Sequence, residues 1–209
     1  MDDGMLLTPY GALAGVSSRE YNESGELMGV TLTERNMVLT HASGLIPIYE
    51  PDGMRRKAKR SITFQKNGMV RSVSLQEQQA VETPIGEFPA ELVVFHETGE
   101  LSRFFVVDGQ LSGFWTIEDE RARNTPLAFE LDVASFRAML TGVAFHPGGS
   151  IRSITLFPGE EIAVKLPSGR GLRARIGFSL FEDGALESVE PAVPAPVDTG
   201  VDVTVTVRG

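Results

Sequence analysis

One turn phrase recurs along this chain, and a recurring phrase constrains the fold more tightly than any single residue. It reads aromatic, three residues, Gly, any residue, aliphatic, with Ser following in several copies. The copies are Tyr21-Asn-Glu-Ser-Gly25-Glu-Leu27, Phe64-Gln-Lys-Asn-Gly68-Met-Val70-Arg-Ser72, Phe95-His-Glu-Thr-Gly99-Glu-Leu101 and Phe145-His-Pro-Gly-Gly149-Ser-Ile151-Arg-Ser153. A fifth, Leu180-Phe-Glu-Asp-Gly184-Ala-Leu186-Glu-Ser188, carries Leu in place of the aromatic. Each copy of such a repeat is a small unit that buries its apolar face against its neighbours. The repeat dictates architecture and leaves chemistry open.

A second phrase alternates with the first: aliphatic, any, Thr, often Pro, one or two residues, Gly, then a large apolar residue. It reads Leu7-Thr8-Pro9-Tyr-Gly11-Ala-Leu13 and Val81-Glu-Thr83-Pro84-Ile-Gly86-Glu-Phe88. Looser copies start at Val38 and Val164, a degenerate one runs from Asp132 to Ala138, and a stub starts at Val197. Thr8 and Thr40 lie 32 residues apart, Leu166 and Thr199 33, and Thr40 and Thr83 43. The chain therefore reads as one repeat domain over residues 1–209, of about five to six units of roughly 33 residues. Insertions interrupt the register at about 49–60 and 115–125, and a lobe boundary is expected near the second.

The segments between turns are short and rich in Val, Ile, Leu, Phe and Thr, as in Met69–Leu75 and Ser150–Leu156. Such segments between Gly-containing turns predict antiparallel strands. The fold class is all-β: repeated hairpins forming a long twisted meander, which either curls on itself or splits into two lobes. Ala134–Leu140 is the best helix candidate, but its place in the repeat favours a strand. Glu190–Pro196 reads as an extended linker or edge, and Val201–Val207 as a last strand. The expected core holds Phe64, Val73, Phe88, Leu92, Phe95, Leu101, Phe136, Phe145, Ile154, Ile176 and Leu186.

Composition excludes several classes of chemistry. There is no Cys, so disulfides, thiolate-bound metals and thiol nucleophiles are out. A net charge of -9 opposes non-specific binding to nucleic acid. No apolar run approaches the length of a membrane-spanning helix, and the acidic N-terminus lacks a secretory pattern. A cytoplasmic protein is expected.

The segment Phe105-Val-Val-Asp-Gly109-Gln-Leu-Ser-Gly113-Phe-Trp115 resembles a MORN-type repeat, in which an aromatic precedes a turn Gly and a second Gly precedes another aromatic. The aromatic-x3-Gly-x-Leu copies, with Thr83-Pro-Ile-Gly86 and Gln110-Leu-Ser-Gly-Phe-Trp115, are similar to a bacterial β-repeat family with MORN-like repeats. The second Gly is missing from most copies, and the Thr-Pro-x-Gly element is foreign to MORN repeats. The resemblance covers most of the chain and implies a run of hairpins that contacts protein or membrane lipid. It supplies no functional residue.

Each candidate site has a plain alternative. Gly169-Arg-Gly171-Leu-Arg-Ala174 mimics a dinucleotide fingerprint, but a strand-like segment follows where a helix is required, so it reads as a repeat turn. His41, His96 and His146 lie in turns without local ligand spacing, so neither metal nor cofactor is expected. Arg55, Arg56, Lys57, Lys59 and Arg60 form the densest charge cluster, read first as a solvated loop or a guard on a sheet edge. A sharper reading pairs this cluster with Glu118, Asp119 and Glu120 of the second insertion, within one chain or between copies. Of Phe114 and Trp115, one is expected to be buried, and Trp115 is the candidate contact for a ligand or partner. No catalytic set is recognisable. The leading expectation is a non-enzymatic module whose sheet face or inserted loops meet another protein. The alternative is a small-ligand or carbohydrate-binding protein with a concave β face. A hydrolase would need two carboxylates facing each other across a cleft.

Overall fold

The aromatic phrase folds into one hairpin of constant register. The aromatic position pairs with the aliphatic six residues on: Tyr21 with Leu27, Phe64 with Val70, Phe95 with Leu101, Phe145 with Ile151 and Leu180 with Leu186. In each turn the Gly N–H bonds back to the residue after the aromatic position, as Gly68 to Gln65 at 3.0 Å. Gly68 holds φ at 79°, a region that residues with a Cβ enter at a cost. The second phrase makes a tighter hairpin in which Thr pairs with the residue three on, as Thr8 with Gly11 and Thr83 with Gly86. The Thr83 hydroxyl donates to the Gly86 carbonyl at 2.7 Å and accepts the Ile85 N–H at 3.3 Å, which accounts for Thr at that place. Gly169 belongs to the first class of turn rather than the second: Leu166 and Arg170 close it, and Lys165 pairs with Gly171. Its dinucleotide-like string is hairpin.

The computed structural model describes residues 4–108 and 110–191. The chain falls into two compact units, Met1–Thr116 and Ile117–Gly209. In the first unit the strands are β1 (Leu6–Thr8), β2 (Gly11–Leu13), β3 (Val16–Tyr21), β4 (Leu27–Leu32), β5 (Val38–Thr40), β6 (Ser43–Leu45), β7 (Ile62–Phe64), β8 (Val70–Thr83), β9 (Gly86–Phe95) and β10 (Leu101–Phe105). Here the sheet runs β10-β9-β8-β7-β4-β3, with β1-β2 and β5-β6 as separate hairpins. One face is the core, with Val30, Leu32, Ile62, Phe64, Val73, Leu75, Val93 and Phe95 all buried. Alternation places Thr31, Thr63, Ser72 and Ser74 on the other face.

Strand β8 leaves the sheet at a register shift between Ser74 and Gln79 and continues into the small hairpin with β9. A run of glutamines secures the bend. Gln76 accepts the N–H groups of Tyr49 and Glu50 at 2.9 and 3.0 Å, and Gln79 accepts that of Ile46 at 3.1 Å. Gln78 donates to the Val106 carbonyl at 2.9 Å.

The second unit holds α1 (Ile117–Arg121), β11 (Leu127–Leu131), β12 (Ala134–Ala138), β13 (Leu140–Phe145), β14 (Ile151–Leu156), β15 (Ile162–Lys165), β16 (Gly171–Leu180) and β17 (Leu186–Pro191). Its sheet runs β15-β16-β14-β13, with β17 also on β16, and β11-β12 stands apart as a hairpin. Ala134–Ala138 is a strand, and the helix lies in the second insertion instead. Arg121 holds that helix down, donating to Glu160 at 3.0 Å and lying over the Phe157 ring.

The protein is all-β and antiparallel, with hairpins as its unit of construction. Of the expected core, Phe64, Val73, Phe95, Leu101, Phe145, Ile154 and Leu186 are buried. Phe88, Leu92 and Phe136 are half-buried; Phe88 stacks on Phe104, and Phe136 on Phe129. Ile176 is 44% exposed, because an irregularity in β16 between Ala174 and Phe178 breaks the alternation and turns it outward. The proposed strand Val201–Val207, the stub at Val197 and residues 192–196 of the Pro-rich segment lie outside the described residues.

Candidate functional site

The first insertion is a solvated loop only in part: residues 51–54, 57 and 58 are exposed, while Arg55 and Arg56 are buried. Asp52 organises it, its carboxylate accepting the N–H groups of Met54 and Arg55 at 3.2 Å while its carbonyl accepts that of Arg56 at 2.8 Å. This turn sends Arg55 and Arg56 inward, where each is only 5% exposed. Both reach Glu91 on β9. Arg55 binds it through two N–H groups at 2.8 and 3.1 Å, and Arg56 lies 2.7 Å from its second oxygen. That oxygen also accepts the Asp108 N–H at 3.1 Å. Asp108 lies 3.9 Å from Arg56 and in direct contact with Lys59. The lattice thus runs from Arg55 through Glu91, Arg56 and Asp108 to Lys59. Buried ions persist only when paired and hydrogen-bonded; Glu91 meets that condition with Arg55, Arg56 and the Asp108 N–H, whereas Lys59 and Asp108 are paired in charge with no hydrogen bond at Lys59 Nζ or Asp108 Oδ2.

The remaining basic residues divide. Lys57 is exposed. Arg60 is half exposed and pairs with Glu20, holding that carboxylate below its usual range. Its stem lies across Gly29, where an added Cβ would meet Arg60 Cδ at 2.6 Å. The Lys59 amine sits in low-dielectric surroundings, and its pKa falls from 10.5 to about 8. Burial is the main cause and the Arg56 charge the next; Glu91 opposes them, and Arg55 adds to the fall.

The lattice braces a second contact. Residues 110–112 pair antiparallel with residues 55–57: Lys57 N–H bonds Gln110 O at 3.1 Å, Ser112 N–H bonds Arg55 O at 2.8 Å, and Arg56 bridges Leu111. Residues 110–112 therefore form one side of a clamp on the first insertion. Ser112 closes the end, its hydroxyl donating to the Met54 carbonyl and accepting the Phe114 N–H at 3.1 Å. Beyond it, Met54 is 64% and Phe114 78% exposed. Trp115 is half-buried, so neither aromatic of this pair is fully in the core.

Glu118, Asp119 and Glu120 form the first turn of α1 in the second unit, with Glu118 and Asp119 exposed and Glu120 buried. The acids that Arg55, Arg56, Lys59 and Arg60 meet include Glu91, Asp108 and Glu20, none of which the sequence patterns singled out. Glu91 carried one signal: a lone carboxylate in the apolar run Phe88–Phe95, in step with the inward-facing Val93 and Phe95. His96 and His146 are half-buried, and the His146 ring meets Leu180 O at 2.9 Å; His41 is exposed. Among the described residues no group of three or more His, Asp or Glu is placed to hold a metal ion, and no helix is long and apolar enough to cross a membrane. Compared with family models, curated proteins and solved structures, the chain matches none.

Proposed function

We propose that this chain is a non-enzymatic interaction module that meets a protein partner through the tip of its clamped loops. The observation that supports this reading is the pairing of opposites at one place. Two large apolar side chains, Met54 and Phe114, stand in solvent at the end of a segment whose base is held by buried ion pairs. Soluble chains gain nothing in stability from exposing such groups, whereas binding sites commonly concentrate their energy in a few apolar anchors. A rigid base lowers the entropy lost when those anchors are immobilised.

The test is quantitative capture of partners by the tagged chain, compared with Met54→Ser/Phe114→Ser. Both side chains are exposed, so the double variant is expected to melt within about 1 kcal/mol of the natural chain. A stoichiometric protein captured by the natural chain and weakened about a hundredfold in the variant supports the proposal. Equal capture by both, or capture by neither, contradicts it.

A further inference from the structure

Lys59 and Asp108 stand apart from the rest of the buried charge. Lys59 Nζ and Asp108 Oδ2 are in direct contact, with the two side chains 10% and 3% exposed. Neither atom makes a hydrogen bond. A settled buried ion pair does the reverse, because its ammonium aims N–H groups at the carboxylate oxygens and at neighbouring acceptors. Contact without a hydrogen bond sets the nitrogen where it can reach the carboxyl carbon. Lys57, Lys66 and Lys165, by contrast, are all exposed.

The surroundings supply what such an attack needs. The nucleophile is a neutral amine, and burial together with the Arg56 charge lowers the Lys59 pKa from 10.5 to about 8. Near pH 7 about a tenth of such amines are neutral. The Arg56 guanidinium, 3.9 Å from Asp108 Oδ2, faces an oxygen on which negative charge gathers when the carboxyl carbon becomes tetrahedral. Glu91 holds this frame in place, lying 2.7 Å from Arg56 and accepting the Asp108 N–H at 3.1 Å. Groups fixed in this way react as though at very high concentration. A groove of about 560 Å³, lined in part by Lys59, Asp108, Ser74 and Gln110, opens beside them and gives a released water a way out.

We propose that Lys59 and Asp108 join in an intramolecular amide bond that staples the first insertion to the segment after β10. The step needs no other reactant. A proton passes within the pair, leaving an amine and a carboxylic acid. The Nζ lone pair forms a bond to Cγ, a proton moves from the nitrogen to one carboxyl oxygen, and that C–O bond breaks to release one water. The amide is neutral, so two buried charges are removed. The bond closes residues 59–108 into a loop beside the paired backbones of 55–57 and 110–112. A covalent link across a long loop stabilises the fold by restricting the unfolded chain. Until the bond closes, the two groups are the ion pair described above, and the titration of Lys59 belongs to that unlinked form. The bond is independent of any partner contact at the loop tip.

Mass spectrometry of the denatured full chain, after the folded protein has stood at neutral pH, tests the proposal. The intact mass is expected to fall one water short of the sequence mass. Tryptic digestion is expected to give residues 58–60 joined to residues 104–121 as one branched peptide, since a linked Lys59 offers no cleavage site. Lys59→Arg keeps a cation beside Asp108 but brings a guanidinium that stays protonated and is no nucleophile. It is expected at full mass and to unfold at a lower urea concentration than the natural chain. Should that variant fail to fold, the branched peptide from the natural chain still settles the question. Full sequence mass in the natural chain overturns the proposal. So does a missing water that Lys59→Arg also lacks, or one located in a linear peptide, as ring closure of Asp108 onto the Gly109 nitrogen would give.

Discussion

Glu91 is the residue on which the first unit's charged interior turns. One carboxylate serves both Arg55 and Arg56 and accepts the Asp108 N–H, at 4% side-chain exposure. Breaking a buried pair by removing one partner typically costs about 3–5 kcal/mol, because the remaining charges stay desolvated. Glu91→Ala is expected to lose stability on that scale in urea melts; a loss below about 1 kcal/mol would place this lattice with weak surface pairs. Lys59 makes a separate prediction about pH. With its folded pKa near 8 and its ordinary value 10.5, the folded chain releases this proton first. Below pH 8 both states hold the proton, and the cost of burying the charge is fully present. Between 8 and 10.5 the unfolded chain holds more protons, so stability rises with pH. The natural chain should therefore gain on Lys59→Gln across that window; a constant difference in melts between the two would contradict it.

At the scale of the element, the hairpins were legible because turn chemistry is local. A Gly at positive φ and a Thr that bonds its own turn are written in consecutive residues, so phrase and structure coincide at Gly68 and Thr83. Close approach between distant strands is not written locally. Gly177 in β16 has φ 147° and lies against β14, where an added Cβ would fall 2.0 Å from the Ile154 carbonyl oxygen. That oxygen belongs to backbone and cannot swing aside. Gly177→Ala is therefore expected to cost clearly more than Gly68→Ala, which meets open space and carries only the conformational penalty of about 1 kcal/mol. Equal losses in a denaturant titration would remove the steric argument. Ile176 beside it was misplaced for a related reason: strict alternation assumes an unbroken ladder, and β16 has a break there.

For the whole molecule, a repeat grammar fixes where hairpins fall and says nothing of what an insertion does between them. The basic run 55–60 looked like surface charge because its counter-charges, Glu91 and Asp108, lie 36 and 53 residues beyond Arg55 in a sequence that offers 28 acids. Only folding selects among them. Buried ions hold the two loops together as one rigid platform. Hydrogen exchange at the Lys57, Asp108 and Ser112 amides tests it most directly, since their acceptors are Gln110, Glu91 and Arg55. All three are expected to exchange as slowly as amides of the inner strands, and Glu91→Gln to speed them together. Exchange at open-loop rates in the natural chain would contradict it.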